Sequence, residues 1–211
     1  MSDEPAQGST HQRVFDVDHD GQPARAVECA RTFQADAATL WAALTDREQL
    51  PRWFLPIDGE LRVDGRYQLE GNAGGTIQRC DAPSALDVKW EFGGGTGWVQ
   101  LRLAPDADGT RLTLTHISPR DEASDKHWAT YGPAATGVGW DLSFHGLGHY
   151  LAGGGAALDR AAHEAWFGTD DGKAFIRRCA DAWRQAHVAS GEDAAVAEGM
   201  ATRTAGFYTG G

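Results

Sequence analysis

The sequence predicts an α+β fold in which a curved antiparallel sheet wraps around one long helix. Three observations predict it. Tyr131–Ala152 reads as a helix of roughly 20 residues, with Pro133 in its first turn and Gly153-Gly154-Gly155 at its end. At 100° per residue Trp140, Phe144, Leu147 and Leu151 form one narrow stripe, flanked by Tyr150 and Ser143. Finally, Ala26 to Ile117 is rich in period-two segments joined by short turn signals, so it can supply the broad apolar partner that the stripe requires.

The elements follow in order. Met1–Gln12 is polar and is expected to be disordered. Arg13–Val17 and Ala24–Phe33 read as strands joined at His19-Asp20-Gly21. Val27, Cys29, Arg31 and Phe33 share one side of the second, where the arginine is expected at the sheet end or facing water. Asp36 caps a helix through Leu40, Trp41 and Leu44. Thr45 to Glu48 has capping-box spacing and opens a second short helix with Leu50, Trp53 and Phe54. From Gly59 the pattern is of strands: Leu61–Val63, Tyr67–Leu69, Thr76–Cys80, Leu86–Phe92, Val99–Leu103 and Leu112–His116, with turns at Asp64-Gly65, Gly71–Gly75, Gly93–Gly97 and Asp108-Gly109. Pro119–Tyr131 reads as a polar loop. Beyond the triple glycine, Asp171–Ala189 places Phe175, Cys179, Ala182, Trp183 and Ala186 on one helical face. Glu192–Ala205 places Val196 and Met200 on another, and both helices are expected to cover the back of the long helix at Val138 and Leu142.

Composition narrows the class. The 211 residues include eight tryptophans and 27 glycines, and carry a formal net charge of −11. Such a surface repels nucleic acid and anionic membranes, so neither is expected as a partner. Cys29, Cys80 and Cys179 are few, odd in number and far apart, which argues against a disulfide scaffold and a cysteine zinc site. With a polar N-terminus and no run of about 20 apolar residues, a soluble, cytoplasmic setting is expected.

Several motifs invite chemistry. Asp141, His145 and His149 stand at i, i+4 and i+8, a spacing that can chelate a metal. They point away from the Trp140 stripe, so a polar helix back that hydrogen-bonds the tail is preferred, and no metal or cofactor is expected. Gly93–Gly97 lacks the Lys-Ser/Thr of a phosphate loop and precedes a strand, so it reads as a hairpin turn. His163-Glu164 opens like a zinc-protease motif, but Phe167 stands where the second histidine belongs. Gly146 and Gly148 inside the long helix suggest a close approach by Trp183 or Trp166. His116, with Arg31, Tyr67 and Trp90, supplies the polar handles of an otherwise apolar cleft.

Arg31-Thr32-Phe33, Leu40–Asp46, Trp53-Phe54, Gly65-Arg66-Tyr67, Gly109–His116 and Gly139-Trp140 with Leu147 and Leu151 stand along this order of elements. Together they resemble the SRPBCC (START-like) superfamily and its helix-grip fold. More narrowly, they resemble the family of the C-terminal domain of the activator of heat-shock protein 90 ATPase. The resemblance covers roughly Ala24–Ala152. Residues 13–153 are expected as the helix-grip domain, after a disordered 1–12, with 154–211 as a C-terminal helical extension packed on it, of a kind seen in bacterial members. The resemblance implies a cavity between sheet and helix for a small hydrophobic or aromatic molecule, without shared catalytic residues. The expected walls are Tyr67, Leu69, Trp90, Val99, Leu101, Leu114, His116, Trp140, Phe144 and Leu147. Two alternatives stand beside this non-catalytic binder. One is a polyketide cyclase or hydrolase-like enzyme using His116 or another buried polar residue as acid or base; the other is a chaperone-activator module using the outer sheet face. Oligomeric state is not read from the residues.

Overall fold

The computed structural model describes residues 10–210. Residues 1–9 of the segment expected to be disordered lie outside the described residues, and the last part of that segment already belongs to the first strand. Eight strands form one antiparallel sheet: β1 His11–His19, β2 Gln22–Phe33, β3 Ile57–Gly59, β4 Arg66–Leu69, β5 Gly74–Asp81, β6 Ala85–Phe92, β7 Gly95–Asp106 and β8 Gly109–Pro119. The order is β1-β2-β8-β7-β6-β5-β4-β3, so only β2 to β3 requires a long connection. The helices are α1 Ala37–Thr45, α2 Glu122–Tyr131, α3 Ala134–Ala152, α4 Arg160–Phe167, α5 Asp170–Ala189 and α6 Ala194–Thr209. This is the helix-grip arrangement, a curved antiparallel sheet with one long helix, α3, and a helical extension after it.

Local chemistry explains most boundaries. The β1–β2 turn uses Asp20 and Gly21, both at positive φ (53° and 77°), the geometry that matches the twist of a hairpin. Asp36 caps α1, its Oδ1 accepting from Thr39 N at 2.7 Å. The β6–β7 turn shrinks to Gly93-Gly94, at φ 60° and 83°, and the remaining glycines of that run already belong to β7.

Other expectations are corrected. The helix after α1 is only a single 3-10 turn, Leu50–Arg52. Thr45 is still helical, and its hydroxyl donates back to Trp41 O at 2.8 Å, so it caps nothing. Asp46 instead closes the turn that precedes the 3-10 helix, accepting from Glu48 N and Gln49 N, and the cap residue Gln49 makes no side-chain cap bond. Leu61–Val63 is not a strand: it lies in the tight connection where Gly65 N bonds back to Arg62 O, and Val63 is exposed. The expected loop after Pro119 contains α2, whose N-terminus is capped by Asp121, with Oδ1 accepting from Ser124 N at 2.8 Å. α2 is mostly polar, and its few apolar residues, Trp128 among them, form no buried stripe, so periodicity does not reveal it. α4 has only eight residues, too few for a helical period to stand out. On α5 the buried stripe is Ile176, Cys179, Ala180, Trp183, Ala186 and His187, displaced from the expected one because Phe175 and Ala182 lie at its half-exposed edge. On α6 Val196 is exposed, and Ala197, Met200, Ala201 and Thr204 are buried.

The chain folds into two compact units. The first contains Ala30–His116 and Ser143–Leu158. Its core holds Leu40, Leu112 and Leu147, each fully buried, and Phe33 meets Phe144 of α3 edge-on at 5.7 Å. Trp53 fixes the elbow after α1 by donating its indole N–H to Ala43 O at 2.8 Å. Arg31 is 4 % exposed, with its guanidinium over the Phe33 ring at 5.4 Å. It therefore does not face water: stacking on an aromatic face lets the weakly hydrated guanidinium stay inside.

Of the described residues, the second unit contains Gln12–Cys29, Ile117–Leu142 and 159–210. Trp183 is its fully buried centre. A Cβ on Gly137 would fall inside the Trp183 ring, so only glycine lets this indole lie against α3. The indole N–H donates to Asp141 Oδ2 at 2.7 Å, which satisfies two buried polar groups at once. Tyr208 on α6 donates to Ala135 O at 2.9 Å.

Candidate functional site

The inner face of the first unit is built by register. Tyr67 on β4 pairs with Gly75 on β5. The pairs Gly74–Glu91 and Ile77–Val88 bring Gly75 opposite Trp90 on β6, and Trp90 pairs with Gly97 on β7. Residues directly opposite in an antiparallel sheet point the same way. Aromatic residues and glycines therefore alternate in one row across four strands.

Each glycine has a physical task. Tyr67 donates its hydroxyl to Lys89 O at 2.9 Å, so its ring must cross β5, and Gly75 offers no side chain in the way. A Cβ at Gly75 would collide with Lys89 O, and its φ of 155° further favours glycine. Gly97 stands opposite Trp90 on β7, and the Trp90 ring meets that of His116 on β8 edge-on, 6.1 Å away. The row thus runs Tyr67, Gly75, Trp90, Gly97, His116. Alternation adds Leu69 beside Tyr67, Val99 and Leu101 after Gly97, and Leu114 before His116. These four are buried, whereas Trp90 and His116 are only half-buried.

Electrostatics sharpen the row. His116 keeps some exposure, yet its ring is stripped of water by its neighbours, and that desolvation lowers its pKa to about 4. At neutral pH it is an uncharged imidazole. Burial raises the Tyr67 phenol well above its ordinary value, Glu91 adding to this and Arg66 opposing it. Tyr67 is therefore a neutral donor fixed on Lys89.

Of the residues chosen from sequence, Tyr67, Trp90 and His116 share this row, and Leu69, Val99, Leu101 and Leu114 share its face. Phe144 and Leu147 are buried in the same unit, with Phe144 against Phe33. Trp140 is half-buried and belongs to the second unit. Sequence reasoning passed over Gly75 and Gly97 as turn residues, because a glycine's value here lies in the strand beside it. Val88, opposite Val99, joins the same face.

The helix-back trio does not gather as a metal centre. His145 and His149 approach with Nε2 atoms 3.3 Å apart, while Asp141 accepts from Trp183 of the tail. Among the described residues no three His, Cys, Asp or Glu are arranged to hold a metal ion. Among them also, no helix is long and apolar enough to cross a membrane.

The family model described as activator of Hsp90 ATPase homolog 1-like protein matches residues 34–152, more than half of the chain. The chain belongs to this family. That region spans α1 to the end of α3 and so holds every residue of the aromatic row. Among solved structures, the crystal structure of CalU16 from Micromonospora echinospora is 26 % identical, with a TM-score of 0.66, covering 84 % of this chain and 98 % of CalU16. Its solution structure gives 24 % identity and a TM-score of 0.69, covering 90 % and 100 %. DynU16, described as a protein of the dynemicin biosynthetic locus, shares the fold at 21 % identity and a TM-score of 0.52, covering 61 % of this chain and 48 % of that one. No curated protein sequence matches. The CalU16 likeness extends beyond residues 34–152, so the helix-grip family region and part of what surrounds it are shared between the two proteins.

Proposed function

We propose that the protein binds a small hydrophobic or aromatic molecule against the Tyr67–Trp90–His116 row, without catalysis. The observation that carries this reading is the partial exposure of Trp90 and His116 amid buried Leu69, Val99, Leu101 and Leu114. An indole face and a neutral imidazole suit a flat guest with one hydroxyl or carbonyl. Phe144 and Leu147 of α3, in the same unit, complete the proposed walls. Burial of apolar area, at about 25 cal/mol per Å², supplies the drive, and His116 sets orientation. A histidine with a pKa of about 4 is a weak base at neutral pH, so the arrangement favours binding over general-base chemistry.

The test compares naphthalene with naphthol by calorimetry, alongside native mass spectrometry for a copurified small molecule. Naphthol is expected to bind about tenfold more tightly through its hydroxyl, an advantage lost in His116→Ala. Trp90→Ala is expected to abolish binding of both. Failure of either probe to bind, or intact binding in Trp90→Ala, overturns the reading. The family description alone supports a chaperone partner; stimulation of a chaperone ATPase that survives Trp90→Ala would favour that alternative.

A further inference from the structure

We propose that a cleft in the second unit is a binding site for a small zwitterion, a molecule carrying one carboxylate and one ammonium on a short apolar body. The cleft holds about 650 Å³ and lies between the β1–β2 hairpin, α2 and the turn from α5 into α6. That volume suits a small ligand. The inference is independent of the aromatic row, since all its lining residues belong to the second unit.

The cationic side of the cleft is Arg25. Its guanidinium lies over the Trp128 ring at 4.9 Å and pairs with Asp125 through one nitrogen, Nη1. A guanidinium has five N–H donors in a planar fork, and stacking on Trp128 holds that fork in place. One bond to one carboxylate oxygen leaves the fork able to take a second carboxylate. The Arg25 side chain is only 18 % exposed, against 50 % for Asp125, so the cation sits deeper than its partner.

The anionic side is Glu192. Its Oε1 accepts from Asp193 N at 3.0 Å, and its Oε2 lies 3.5 Å from His187 Nε2. His187 is buried, with its ring edge-on to Trp128 at 5.5 Å. Burial lowers its pKa; Glu192 opposes that shift and Arg25 adds to it. The ring is neutral at pH 7, so it leaves the Glu192 charge uncancelled, and an ammonium can take it.

The balance of charge selects the ligand. Arg25 and Arg120 face Asp16, Asp125 and Glu192, a local net of one negative charge. A phosphate or dicarboxylate is repelled by that net and by the −11 of the whole chain. A simple amine meets two guanidiniums. A zwitterion places each charge opposite its complement, with its apolar body on Trp128 and Met200.

The probe is L-phenylalanine, compared with phenethylamine, which lacks the carboxylate, and hydrocinnamate, which lacks the ammonium. Each is titrated into the full chain while the Trp128 indole N–H is followed by NMR. L-Phenylalanine is expected to bind saturably, and each truncated analogue at least about tenfold more weakly. Arg25→Gln is expected to weaken L-phenylalanine and hydrocinnamate but not phenethylamine. Glu192→Gln keeps the acceptor for Asp193 N and is expected to weaken L-phenylalanine and phenethylamine only, so it serves even where the arginine variant folds poorly. Absence of saturable binding by about 10 mM, equal affinity for either analogue, or unchanged L-phenylalanine affinity in Glu192→Gln overturns the proposal.

Discussion

The His116 environment makes a quantitative demand on acid stability. The imidazole has a pKa of about 4 in the folded chain and about 6.5 when unfolded. Between these values the unfolded chain binds a proton that the native chain refuses. Stability is therefore fully present above pH 6.5 and is lost as pH falls from there towards 4. At about 1.4 kcal/mol per pH unit the loss approaches 3 kcal/mol, with the partial exposure of the residue holding it somewhat below that figure. His187 and the exposed carboxylates titrate too, so the informative quantity is a difference. Urea unfolding of the native chain and of His116→Gln, measured at half-unit steps from pH 7.5 to 4, provides it. The two free energies should converge as pH falls, the native chain losing about 2–3 kcal/mol more than the variant. Parallel curves would show that the imidazole is hydrated in the native state, and the neutral-acceptor argument for ligand orientation would fall with it.

Three further outcomes follow from single contacts. Gly75→Ala drives a Cβ into Lys89 O at a φ that disfavours side chains; it should cost about 2 kcal/mol or more in urea unfolding. Trp183→Phe removes the indole donor to the buried Asp141 Oδ2; a loss of about 2–3 kcal/mol is expected by the same assay, and a loss under about 0.5 would mean that this bond contributes little. Of the three cysteines only Cys80 is exposed, and burial pushes the Cys29 thiol well up. One equivalent of a thiol reagent should label the native chain, at Cys80 by peptide mapping, with Cys29 and Cys179 reacting only on unfolding.

Elements with a strong period were legible. The alternation of Leu86 to Phe92 gave β6 within one residue, and the stripe through Phe144 and Leu147 gave α3, whose N-terminus shifts to Ala134 because Gly132 takes φ 61°. What failed to show was structure held by capping and tertiary contact. α2 starts at an aspartate cap and carries no apolar stripe of its own; Thr204 and Arg203 of α6 bond its last carbonyls at Tyr131 and Thr130. Nothing local in residues 119–131 announces partners some 73 positions away. Arg31, expected at the sheet end or facing water, is instead buried over the ring of Phe33, two places along the same strand, a contact that alternation alone does not announce.

The candidate site was half legible, and the missing half is informative. Its large residues were found because each strand alternates on its own. Their assembly into a row depends on register, and register is set between strands. The β5–β6 pairing shifts between Ile77 and Arg79, so no count from the turn alone places Gly75 opposite Trp90. A slip by one residue would turn Trp90 to the outer face and set Gly75 against Lys89 or Glu91. The glycines are thus the strongest constraint on the site, although they contribute no contact surface: they are where Tyr67 and Trp90 cross a neighbouring strand. Substituting either glycine should damage the site more than trimming Leu69 or Leu101, because a lost wall leaves a gap and a filled crossing moves two aromatic rings at once.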